Sequence, residues 1–85
     1  MSHALDYNVD FDTWPPAQAA LDALRSMFGK IQVFEPDDDY SGYIQFQIHG
    51  PVTYEAVTTT QRRATTAMAP YGGVCESWGV MQDAV

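Results

Sequence analysis

Apolar and polar residues alternate strictly from Ala4 to Phe11, with Leu5, Tyr7, Val9 and Phe11 on one side and Asp6, Asn8 and Asp10 on the other. That period of two predicts a half-buried strand. Next, Asp12 or Thr13 can cap a helix whose first turn takes Pro15 and Pro16, and Gly29 can end it. Between these signals Ala17, Ala20, Leu21, Leu24, Met27 and Phe28 recur at spacings of three and four, which predicts one buried helix face of about three to four turns. Lys30 to Phe34 predicts a second strand with Ile31 and Val33 inward, and the loop Glu35-Pro36-Asp37-Asp38-Asp39 leads into a third from Tyr40 to His49. On that third strand Ile44, Phe46 and Ile48 share a face opposite Tyr43, Gln45, Gln47 and His49. After the Gly50-Pro51 break, Thr53 can cap a second helix from Tyr54 to Ala69, with Val52 and Val57 as a hydrophobic staple and Val57, Ala64, Met68 and Tyr71 along its buried stripe. Its threonines lower intrinsic helix propensity, so this helix depends on packing. Pro70 and Gly72-Gly73 close it, and Val74 to Met81 predicts a fourth strand.

The order βαββαβ predicts an α+β fold, a ferredoxin-like sandwich with a four-stranded antiparallel sheet and two helices on one face. In it the first and third strands are central. The other sheet face is left uncovered and should carry Asp6, Asn8, Asp10, Gln32, Phe34, Tyr43, Gln45, Gln47 and His49. The fourth strand has no clean apolar side. Placing Glu76 outward, because burying it unpaired costs several kcal/mol, puts Trp78 on the open face and Cys75, Ser77 and Gly79 toward the helices. The opposite register makes Trp78 core.

Eighty-five residues make a single domain spanning 1–85, and the 46% apolar content suffices for a core. Charge changes the picture more: 11 acidic residues against 4 basic ones leave a formal net charge of −7. Arg25, Lys30, Arg62 and Arg63 are too few for a basic stripe, so direct nucleic-acid binding is disfavoured. The lone cysteine, Cys75, excludes an intramolecular disulfide and a zinc site of cysteines alone. With neither a signal peptide nor a membrane-length apolar run, the expected setting is reducing and cytoplasmic, away from membranes.

Asp37-Asp38-Asp39-Tyr40-Ser41-Gly42 resembles the opening of an EF-hand loop, but the twelfth position is Ile48 where a bidentate Glu is required, and the flanks predict strands. His3 and His49 lack ligand spacing, so neither metal nor cofactor is expected. His49 could serve Cys75 as a base only if the first strand did not separate them. No phosphate loop, nucleophile elbow or paired-carboxylate arrangement occurs, and an enzyme is not expected. The acids do cluster. Asp6, Asp10 and Asp12 lie on or just after one strand, and Glu35, Asp37, Asp38 and Asp39 occupy one hairpin. Asp6 to Asp10 spans about 13 Å, a length on the scale of a few phosphate steps, so carboxylates on a rigid sheet could fill a basic groove by charge mimicry. Tyr43, Phe34 and Trp78 offer aromatic anchors beside them, and Glu76 a further carboxylate.

Tyr71-Gly72-Gly73-Val74-Cys75-Glu76-Ser77-Trp78-Gly79 resembles the closing motif of the RraB family, regulators of ribonuclease E, which runs Tyr-Gly-Gly-x-Tyr-Asp-Gly-Trp-Gly. Tyr71, Gly72, Gly73, Trp78 and Gly79 match, Glu76 replaces the acid, and Cys75 and Ser77 depart. The resemblance implies a non-enzymatic protein that binds a nuclease and restrains it. In size, acidity and lack of catalytic motifs the chain is also similar to phage anti-CRISPR proteins, some of them DNA mimics. Both imply an inhibitor that covers the basic nucleic-acid-binding surface of a protein, a nuclease or a CRISPR effector complex. A different class shares the fold, a homodimer packing its open faces around a pocket as a small-molecule enzyme or ligand sensor.

Overall fold

The computed structural model describes residues 3–38 and 41–80. Its elements follow the expected order: β1 (His3–Phe11), α1 (Gln18–Phe28), β2 (Ile31–Phe34), β3 (Tyr43–Gly50), α2 (Tyr54–Met68), a 3₁₀ turn (Ala69–Tyr71) and β4 (Gly73–Val80). The strands form one antiparallel sheet in the order β2-β3-β1-β4, so β1 and β3 are central. This is the ferredoxin-like α+β arrangement.

Alternation in β1 drives the layering. Leu5, Tyr7 and Val9 are buried with Ile44 and Phe46 of β3 and Cys75 of β4, and the helices cover them with Ala20, Leu24, Val57, Ala64 and Met68. At the centre Phe46 stacks on Tyr7 (centroids 5.2 Å, planes 9° apart) and on Phe28 (3.9 Å, 7°). The Arg63 guanidinium lies 5.8 Å over the Phe28 ring, extending the column to the surface.

The caps are partly as anticipated. Thr53 Oγ1 accepts from the Ala56 N–H at 3.1 Å, and Gly29, at φ 83°, ends α1. The start of α1 differs from expectation: its N-cap is Ala17, without a side-chain bond, and Pro15 and Pro16 belong to the preceding connection. A residue before proline is disfavoured in the helical region, so Pro16 keeps Pro15 out of the helix, and Trp14 is held elsewhere by a hydrogen bond to Glu35. Among the described residues no helix is long and apolar enough to cross a membrane.

β4 resolves the open question of register in a way that neither simple alternation allows. Asn8 pairs with Ser77, but Val9 pairs with Cys75, leaving Glu76 as an extra residue in a β-bulge. The alternation therefore flips within the strand. Cys75 and Trp78 both face the helices, while Ser77 turns to the open face and bonds Asn8. Placing Trp78 on the open face, and Ser77 and Gly79 toward the helices, is thus corrected; Glu76 is exposed, as reasoned from its charge. Met81 lies outside the described residues.

Candidate functional site

The uncovered sheet face is a polar ladder tied across three strands. Gln45 Nε2 donates to Asn8 Oδ1 and Asn8 Nδ2 donates to Ser77 Oγ, each at 3.1 Å; Gln47 Nε2 donates to Asp6 Oδ1 at the same distance. These bonds fix the rotamers of a surface otherwise free to fluctuate. Toward one end Tyr43 stacks on Phe34 (4.7 Å, 13°) and pairs in register with Asp10.

That same end gathers the acids. β1 finishes at Phe11 where β3 begins and β2 ends, so the connection after β1 and the β2–β3 loop emerge side by side. Trp14 Nε1 donates to Glu35 Oε2 at 3.1 Å and clips the two segments together. Asp10, Asp12, Glu35, Asp37 and Asp38 therefore share one end of the sheet, all but the half-buried Asp10 being exposed. Asp6 lies further along the open face, and Glu76 stands apart on the outer edge of β4. Asp39 lies outside the described residues. The cations lie away from this end: Arg25 pairs with Asp22 at 3.5 Å, Arg63 is on α2, Arg62 on α2 lines a depression with Glu76, and Lys30, before β2, lines one with Asp6.

Trp14 was not singled out from the sequence. Its signal was available, an indole N–H within reach of a conformation that two prolines hold out of helix. The Tyr71-Gly72-Gly73 motif also acquires a structural reading. Gly72 has φ 74°, and its α-carbon lies directly beneath the Asp12 carboxylate, while the Asp12 N–H donates to Gly72 O at 3.0 Å. Asp12 is thus positioned by the motif's first glycine.

Cys75 is a free thiol buried on the helix face of β4. Burial first, and the negative charge of Asp10 second, push its thiol up from the ordinary 9.0 to about 12. His49 is on the open face and Cys75 on the helix face, with β1 between their strands. At pH 8 alkylation of Cys75 is expected to be limited by unfolding. Its rate should rise with urea in step with the loss of circular dichroism; rapid labelling of folded protein would contradict the burial. Because the folded value is above the unfolded one, this thiol's contribution to stability is complete below pH 9.0 and is lost as pH climbs toward about 12.

Comparison with known proteins gives one finding: the family model for RraB, regulator of ribonuclease activity B, matches residues 1–80. No curated protein and no solved structure matches.

Proposed function

The chain belongs to the RraB family of regulators of ribonuclease activity, and from that premise we propose that it restrains a cytoplasmic ribonuclease of the ribonuclease E kind by contact, without catalysis, covering a basic RNA-binding surface with its acidic end. The observation that carries this reading is the convergence of Asp10 and Asp12 with Glu35, Asp37 and Asp38 around the Trp14–Glu35 hydrogen bond. Carboxylates held on strands and clipped loops need little further ordering to meet a cationic groove. Asp39 follows Asp38 in the sequence, Tyr43 supplies an aromatic surface near Asp10, and Asp6 stands further along the open face in a depression shared with Lys30. Glu76 contributes from the β4 edge. A CRISPR effector complex offers a similar groove, but only size and charge point there. A face-to-face homodimer enclosing a pocket would bury the Gln45–Asn8–Ser77 ladder and its amides, which favours regulation by contact over a small-molecule site.

The test is reversal of Asp37, Asp38 and Asp39 to Lys, followed by RNA cleavage by the ribonuclease with increasing amounts of the variant. At about 1 kcal/mol per reversed rim charge, inhibition should weaken on the order of 100-fold, while circular dichroism stays that of the parent. Raising salt should weaken the parent and flatten the difference. Unchanged inhibition by the triple variant would remove this end from the contact.

A further inference from the structure

β4 forms one edge of the sheet, and the two halves of its outer side are treated differently. In the first half the Cys75 N–H donates to Thr65 Oγ1 at 3.0 Å, and the bulge at Glu76 interrupts the ladder. Both devices discourage another strand from pairing there. Beyond the bulge, Ser77–Val80 is paired, among the described residues, on one side only, through Asn8, Tyr7, Asp6 and Leu5 of β1. Its outward backbone groups are a template for a further strand.

The flank of this segment is apolar. Trp78 and Val80 are each 40% exposed, Val52 42% and Tyr54 84%. Trp78, Val52, Tyr54 and Val57 border a cavity of about 200 Å³ between β4 and the start of α2. Thr58 and Gln61 continue its wall into a second depression that ends at Arg62 and Glu76. A half-exposed tryptophan and an exposed tyrosine beside unpaired backbone have the composition of an interface centre rather than of a solvated edge.

We propose that Ser77–Val80 takes up an extended segment of a partner protein as a fifth strand, and that this segment reads apolar-x-apolar-x-basic. The pattern follows from the register. Antiparallel pairing is the slightly more stable mode, and segment residues opposite Val80 and Trp78 then share the helix side, two positions apart, where their side chains meet Val52, Tyr54 and the cavity beside Trp78. Two positions further on, a side chain on the same side arrives at Glu76. A basic residue there gains the Glu76 carboxylate, which shares its depression with Arg62, and is favoured by the chain's net charge of −7. This contact goes beyond the regulatory reading and does not rest on it. The acidic end lies where Phe11 pairs with Gly73 and the apolar edge where Leu5 pairs with Val80, at opposite ends of the β1–β4 pairing.

The probe is a blocked heptapeptide with valine, isoleucine and lysine at its second, fourth and sixth positions and threonine elsewhere. Added to the full chain, it should slow amide hydrogen exchange at Ser77–Val80 and shift those resonances, leaving β2 unchanged. Trp78→Ala should weaken binding about tenfold or more. Tyr54→Ala, at a site too exposed to threaten folding, should weaken it by a smaller factor. Glu76→Gln should abolish the preference for the lysine peptide over one with glutamine there. Peptide methylated on alternate backbone nitrogens should not bind. The Asp37, Asp38 and Asp39 reversals should leave peptide binding intact, which separates this contact from the acidic end. No slowing at Ser77–Val80, equal binding of the methylated peptide, or protection that needs no peptide and grows with protein concentration, as a second copy on this edge would give, overturns the proposal.

Discussion

Phe46→Ala is expected to cost about 3–5 kcal/mol, the range for deleting a buried phenylalanine. Small domains hold roughly 5–15 kcal/mol in all, so this single change should bring the chain close to its unfolding threshold. Phe46 is 1% exposed and forms the middle of the Tyr7–Phe46–Phe28 stack, on a central strand directly beneath α1. Removing the ring deprives Tyr7 and Phe28 of their shared partner, and β3 cannot collapse into the space without breaking its pairing with β1 and β2. Phe28→Ala should cost less, because Phe28 is only half-buried and water can enter where its ring was. Urea denaturation decides this: the midpoint should fall sharply with the slope unchanged. A loss below about 1 kcal/mol would mean that the stack is not the centre of the core.

Gly73→Ala is expected to destabilise by about 1–3 kcal/mol through overpacking, opposite to the usual benefit of alanine over glycine. A Cβ at Gly73 would lie 2.7 Å from a Phe11 ring carbon and 2.9 Å from Met68 Cβ, and both neighbours are packed. Gly72→Ala should lose about 1–2 kcal/mol to its left-handed backbone, and its methyl would also displace the Asp12 carboxylate. The two variants differ in consequence. If the proposed contact holds, Gly73→Ala should lower the amount of folded protein but leave the effect on ribonuclease activity per folded molecule unchanged, whereas Gly72→Ala should also weaken that effect by moving Asp12. Thermal melts paired with cleavage assays corrected for folded fraction separate these outcomes. A Gly73→Ala melt equal to the parent would show slack that the contact distances exclude.

The Tyr71–Gly79 motif is thus architectural at Gly73, which lets a helix and a ring close on β4, and at Gly72, which seats a carboxylate. Its tryptophan is different. Trp78 is neither in the core nor on the open face, and its position explains how one residue can belong to the motif and still be 40% exposed.

The layering was legible along the chain. Leu5, Tyr7 and Val9 against Asp6, Asn8 and Asp10, the helical spacing of Ala20 and Leu24, and the cap at Thr53 each follow from backbone geometry that repeats within a few residues. Such local periods, added to the order βαββαβ, determined the fold and which strands are central. They also showed two separate acidic groups. That these groups meet at one end depended on β1 and the β2–β3 loop coming side by side, and on Trp14 reaching Glu35 across 21 positions. Likewise the face of Trp78 was settled by the bulge at Glu76, a mismatch in count between β4 and β1 that no single strand contains. Side-chain direction is a property of one segment's backbone; convergence and register are properties of pairs of segments, and only tertiary pairing decides them.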